Sequence, residues 1–107
     1  MKISVIIVSY NCKAFLDYCL QSVCKALKQI DSEILVIDNC STDGSVEYLK
    51  SKQYDLRIIE NKENLGFSKA NNKAAKLAKG EYLFFFNPDT IIPEDLIDSF
   101  FKNIKPN

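Results

Sequence analysis

Four times along the chain, a run of apolar residues gives way to apolar positions spaced three and four apart. Ile3 to Val8 is dense in Ile and Val and closes at Ser9-Tyr10-Asn11, which predicts a first strand. From Lys13 the period changes. Leu16, Leu20, Val23, Leu27 and Ile30 form the stripe of an amphipathic helix, which Asp31-Ser32 breaks. Glu33 to Ile37 reads as strand two, and the loop after Asp38-Asn39 is rich in helix-capping residues. Val46, Leu49 and Lys50 then suggest a short helix, and Leu56 to Glu60 a weaker strand that ends at Asn61. A third helix is predicted over roughly Ser68 to Ala78, with Ala70, Ala74, Leu77 and Ala78 inward and Gly80 as its stop.

Tyr82 to Phe86 is an unbroken apolar run closed by Asn87-Pro88-Asp89. It suits a strand buried on both faces of a parallel sheet and ending at Asn87, because Pro88 cannot donate to a ladder. Pro93 is placed at the first position of a last helix, with Glu94 and Asp95 suited to its N-terminus. Leu96, Ile97, Phe100, Phe101 and Ile104 supply its buried side. Fourfold alternation of strand and helix predicts right-handed crossovers and an α/β, Rossmann-like parallel sheet. Strand one should lie inside the sheet, with helices on both faces.

Composition narrows the chemistry. The 107 residues suffice for one small domain. Equal numbers of basic and acidic residues, 14 each, give no reason to expect a nucleic-acid partner. There is no histidine and no Cys-x-x-Cys pair, so a zinc site is disfavoured and Cys12, Cys19, Cys24 and Cys40 read as free thiols in a reducing, cytoplasmic setting. No apolar run approaches a membrane span, and the N-terminus has too short an apolar core for a secretory signal. Lys69, Lys73, Lys76 and Lys79 form a stripe on the third helix. This is most simply a solvated face; its sharper reading is contact with an anionic membrane surface.

Parallel strands would bring Tyr10-Asn11, Asp38-Asn39, Asn61 and Asn87 to Asp89 to one edge, where open α/β sheets bind ligands. The glycine-rich phosphate loops are missing, both Gly-x-Gly-x-x-Gly and Gly-x-x-x-x-Gly-Lys-Ser/Thr. A diphosphate bound here would need another counter-charge, and a divalent metal (Mg or Mn) held by Asp89 is the natural candidate.

Five segments stand in the order and spacing of a known family. They are Val5-Ile-Ile-Val-Ser-Tyr-Asn11, Val36-Ile-Asp-Asn-Cys-Ser-Thr-Asp-Gly-Ser45, Asn61-Lys-Glu-Asn-Leu-Gly-Phe67, Ala70-Asn-Asn72 and Gly80-Glu-Tyr-Leu-Phe-Phe-Phe-Asn-Pro-Asp-Thr90. Together they resemble the N-terminal, nucleotide-sugar-binding half of family 2 glycosyltransferases with the GT-A fold. The resemblance implies that Ser9 and Tyr10 line the base pocket, with Asn11 beside them. It implies that Asp38 accepts from the base edge or ribose, and that Asn39, Ser41 and Asp43 shape the pocket. Asn64 and Gly66 match a turn beside the nucleotide. Asn87-Pro88-Asp89 takes the place of the family's Asp-x-Asp motif, making Asp89 the metal ligand.

Two positions depart from the pattern. Asn87 replaces an aspartate, as in the rhamnosyltransferase-like branch, and Asn71-Asn72 stand where the family often has Arg-Asn. Asn72 keeps the matching amide, whereas Asn71 brings no cation to the diphosphate. The resemblance implies transfer of a sugar from a nucleotide diphosphate sugar to the hydroxyl of a carbohydrate or lipid-linked acceptor, with inversion. On this reading residues 1–107 are a donor-binding part without the acceptor-binding half. Glu94, Asp95 and Asp98 are not assigned as the base, and the chain alone is expected to be inactive. A non-catalytic α/β module that binds a nucleotide or a protein is the alternative. Self-association is expected through Phe100, Phe101 and Ile104 or through the edge of strand four.

Overall fold

The computed structural model describes residues 2–103, so Ile104 lies outside the described residues. Eight elements alternate: β1 (Ile3–Ser9), α1 (Lys13–Ala26), β2 (Ser32–Asp38), α2 (Ser45–Ser51), β3 (Arg57–Glu60), α3 (Phe67–Leu77), β4 (Tyr82–Phe86) and α4 (Leu96–Asn103). The strands form one sheet in the order β3-β2-β1-β4, and every pairing is parallel. The first two crossovers step outward from β1. The third returns past β2 and β1, so the winding reverses between β1 and β4. The groove outside their carboxyl ends is the switch point, where such sheets bind ligands.

One face of the sheet packs Ile3, Val5, Ile7, Ile34 and Val36 against α1, α2 and α4. The other packs Ile6, Val8, Leu35 and Ile37 against Ala70 and Ala74 of α3. All seven residues of β1 are buried, as expected of the strand nearest the middle of the sheet. Helix α1 stops at Ala26, and Gln29 adopts a left-handed φ of 67°. Leu27 and Ile30 still reach the core from the turn, so the stripe survives the end of the helix.

Several expectations need correction. Leu77 of α3 and Phe100 of α4, both expected to face inward, are 39% and 38% exposed. Gly80 does not stop α3, which ends at Leu77 with an extended Ala78 cap. A Cβ on Gly80 would lie 2.6 Å from Ile3 C and Ser4 N, so glycine lets the chain pass against β1. Pro93 does not start the last helix: the Leu96 amide donates to the Pro93 carbonyl in a turn, and α4 begins at Leu96. Nor is β4 buried on both faces. It ends at Phe86, one residue early, and Leu83 and Phe85 are 38% and 47% exposed. The order of strands puts β4 at the edge, and Leu83 and Phe85 share their face with Ser4 and Ile6, where α3 covers β1 and β2. On the opposite face, Tyr82 and Phe84 meet Phe100 edge to face at 5.7 and 5.0 Å. An apolar run shows that a strand exists, but not whether both of its faces are covered.

Candidate functional site

The ladder between β1 and β2 runs to its last pair, Ser9 opposite Asp38. Beyond the strand ends, the Asn39 amide donates to the Ser9 carbonyl and the Asn61 amide to the Asp38 carbonyl, both at 2.9 Å. One Asp38 oxygen, Oδ2, accepts the Ser41 amide at 2.9 Å. The other, Oδ1, has no hydrogen-bond partner, and neither does Ser9 Oγ. Both atoms are sealed from solvent. Buried polar atoms nearly always find partners, so this carboxylate oxygen and hydroxyl on paired residues leave a partner, a water or a ligand, to come from outside the chain. Tyr10, the next residue, is half exposed.

The neighbouring loops are latched to one another. Asn11 has a left-handed φ of 51°. Its amide donates to Ser41 Oγ at 2.9 Å, and its Oδ1 accepts the Thr42 amide at 2.8 Å. Asp43 Oδ2 accepts the Lys13 amide at 3.0 Å, at the start of α1. Its Oδ1 accepts both the Ser45 amide and the Ser45 hydroxyl, at the start of α2. Burial pushes the Asp43 carboxyl upward, but the Ser45 hydroxyl and the Lys13 and Ser45 amides outweigh it and hold the group below its ordinary value. Asn11, Ser41 and Asp43 thus spend these groups on the protein and set the shape of the edge.

A second polar chain joins the ends of β2 and β3 to α3. Asn39 Nδ2 donates to the Gly66 carbonyl at 3.3 Å, while its Oδ1 accepts from Asn61 Nδ2 at 2.9 Å and the Leu65 amide at 3.3 Å. Asn64 Oδ1 accepts the Gly66 amide at 2.8 Å and closes the turn before α3. Asn61 Oδ1 accepts from Lys73 Nζ at 2.6 Å. Sequence reasoning brings Asn61 to this edge but misses Lys73, because a lysine in a stripe of four reads as solvated and only its partner reveals otherwise.

The end of β4 is built differently. The Asn87 carbonyl accepts the Cys19 thiol at 3.6 Å and the Thr90 amide at 3.0 Å, and Asp89 is exposed on this turn. Burial first, and the Asp89 charge second, push the Cys19 thiol up to about 11, so it is neutral and unreactive at pH 7. Asp38 and Asp89 do not lie on adjacent strands, because β1 runs between them. Two strand spacings separate their ladders by about 10 Å. On α3, Ala70 and Ala74 face the sheet and Lys73 leans toward β3. At roughly 100° per residue, half-buried Asn71 falls on the opposite flank, toward β1 and β4, and Asn72 points outward.

Among the described residues, no three Asp, Glu, Cys or His side chains converge on a common point. A magnesium-type ion needs only one or two carboxylates when phosphate oxygens complete its shell. An exposed Asp89 carboxylate beside the Asn87 amide fits that mode, and it does not fit an all-protein cage.

Comparison with known proteins gives a consistent result. The family model for glycosyl transferase family 2 matches residues 4–107. A poly(ribitol-phosphate) beta-glucosyltransferase of Bacillus spizizenii is 36% identical over 112 residues, covering 100% of this chain and 18% of that protein. The crystal structure of Staphylococcus aureus TarS 1-349 in complex with UDP-GlcNAc superposes with a TM-score of 0.86 at 28% identity, covering 95% of this chain and 30% of that one. The mannosyltransferase PcManGT of Pyrobaculum calidifontis, in complex with GDP-Man and Mn2+, has a TM-score of 0.80 at 27% identity, covering 90% and 30%. The chain therefore spans less than a third of the length of each of these proteins.

Proposed function

The chain belongs to glycosyl transferase family 2, and on that premise we propose that residues 1–107 form the donor-binding part of a GT-A glycosyltransferase. The reaction is transfer of a sugar from a nucleotide diphosphate sugar to an acceptor hydroxyl, inverting and metal-assisted. The observation that carries the proposal is the buried, unpartnered Asp38 Oδ1 beside the unpartnered Ser9 Oγ at the end of β1. Such an acceptor favours a base whose pairing edge presents a ring N–H, as in uracil, thymine and guanine. Adenine and cytosine present a bare ring nitrogen there, which would face the carboxylate lone pairs. A local side-chain movement uncovers the carboxylate as the base enters, and the Tyr10 ring lies against the base.

A metal bound at Asp89 would neutralise charge on the diphosphate leaving group. The residues of this chain do the remaining work. Asp38 and Ser9 fix the base, Asn87 sits beside the metal ligand, and Asn71 lends amide hydrogens on the diphosphate side without a cation. Acceptor recognition and the catalytic base are assigned to no residue among 1–107, and this stretch alone is inactive. The setting is cytoplasmic, with Lys69 and Lys76 of α3 available to an anionic membrane face; no helix among the described residues is long and apolar enough to cross a membrane. Copies of the chain associate through the open edge of β4. The relatives bind or transfer several different sugars by their names, so the rhamnosyl hint of Asn87 does not choose the donor.

Calorimetry with UDP, GDP, dTDP, ADP and CDP, each with and without manganese, tests the reading. The first three should bind and gain affinity from the metal. Identical behaviour of all five, with and without metal, would make Asp89 a turn residue and leave the alternative of a simple α/β module.

A further inference from the structure

We propose that Lys73 is a positioning residue of the nucleotide site, acting through Asn61 and Asn39 on the turn at Leu65 and Gly66. Lysine carries only donors, so the Asn61 atom that meets Lys73 Nζ at 2.6 Å must be the carbonyl oxygen. That choice leaves Asn61 Nδ2 to donate to Asn39 Oδ1, and Asn39 Nδ2 to donate to the Gly66 carbonyl. One ammonium therefore sets the direction of the whole amide chain. Asn39 Oδ1, kept facing the turn, also takes the Leu65 amide.

Burial makes the direction matter. Asn39 and Asn61 are 2% and 6% exposed, so an amide turned the wrong way would oppose donor to donor with no water to intervene. Gly66, at φ 79° and ψ 170°, occupies backbone space that essentially only glycine visits, so this turn needs external ties to stay ordered. The turn is also bound to the residue after Asp38, which places it against the base side of the site. Asn39 is thereby a scaffold for the pocket rather than a contact to the ligand, since its Oδ1 already takes two donors. Lys73 differs in this from Lys69 and Lys76, for which no such partner is seen among the described residues.

This inference rests on the reading of the site as a nucleotide site, and its test separates the two. Lys73→Met keeps most of the stem and removes the ammonium, and Lys73→Arg restores a cation. In the 107-residue chain, amide hydrogen exchange at Leu65 and Gly66 should quicken about tenfold in Lys73→Met, with little change in β1. Lys73→Arg should recover most of the protection. UDP affinity should fall about fivefold in Lys73→Met with the manganese gain unchanged, because the base side is loosened and the metal side is not. Unchanged exchange at Leu65 in a folded Lys73→Met protein would overturn the proposal whether or not nucleotides bind. Quickened exchange with unaltered UDP affinity would overturn its positioning part. A wild-type chain that binds no nucleoside diphosphate would instead sink the site reading, with the exchange result still deciding what Lys73 does to the turn.

Discussion

The ends of β2 and β4 carry the two aspartates of the site, yet they are finished in opposite ways. Asp38 is buried, with one oxygen tied to Ser41 and its neighbours bound through Asn39 to β3 and α3. Asp89 is exposed on a turn anchored mainly through the Asn87 carbonyl. The strands differ in the same sense: β2 is buried on both faces over its last five residues, whereas β4 alternates and leaves Leu83 and Phe85 bare. On the proposed reading, base recognition is preorganised within a small βαβ unit. On the same reading, diphosphate and metal recognition is left open, to be completed by the ligand's own oxygens.

The sharpest ways to break this contrast concern stability. Gly80→Ala would drive a Cβ into the backbone of Ile3 and Ser4, which cannot rotate away. We expect a loss of about 3 kcal/mol in urea unfolding, because backbone must move to relieve the overlap. Asn39→Ala strands the Leu65 amide, Asn61 Nδ2 and the Gly66 carbonyl together and should cost about 2 kcal/mol. Asn87→Ala, on the open side, should stay within about 0.5 kcal/mol. If Asn87→Ala proved as costly as Asn39→Ala, the two sides would not differ as described.

Much of this was legible in the chain. The β-branched runs of β1 and β2 and the stripe of α1 specify these elements, though not the end of α1 at Ala26, because all of them pack against the middle of the sheet. Asp38 and Asp89 announce themselves as carboxylates at strand ends. Other features depend on contacts far apart in sequence. The direction of the amide chain needs Lys73 brought to Asn61, the tight passage at Gly80 needs β1 beside it, and the bare face of β4 follows from α3 lying under other strands. No local pattern carries those facts. The latch formed by Asn11, Ser41 and Asp43 is intermediate: the residues were picked out, but their partners turned out to be groups of the protein's own loops and helix starts.

Acid should act at both ends of β2, on Asp43 beyond its last residue and on Glu33 near its first. Asp43 and Glu33 both lie below their ordinary values, Glu33 because the Ser4 hydroxyl, the Lys79 amide and the Arg57 and Lys79 charges outweigh its burial. A depressed carboxyl stabilises the fold above its unfolded value near pH 4 and loses that contribution as pH falls through the folded value. Thermal melting should therefore weaken below about pH 4, and Asp43→Asn should flatten that limb. A wild-type melting temperature flat from neutral pH to pH 3 would contradict the latch. Phe85→Ser should have the smallest effect on stability, below about 0.5 kcal/mol, because the side chain is already half exposed. Light scattering should nonetheless show less self-association than in wild type. A strict monomer in both proteins at high concentration would remove β4 as a contact between copies.

The most direct test of the contrast is a calorimetric cycle with UDP, with and without manganese, on wild type, Asp38→Ala, Asp89→Asn and the double variant. Asp38→Ala should weaken binding by about 1–3 kcal/mol whether or not manganese is present, as for loss of a partner to a buried polar group. Asp89→Asn should remove the manganese gain and leave the metal-free affinity intact. With β1 between them, the two effects should add within about 0.5 kcal/mol. A manganese gain that survives in Asp89→Asn, or an Asp38→Ala loss that appears only with manganese, would contradict the division of the site into a closed base side and an open metal side.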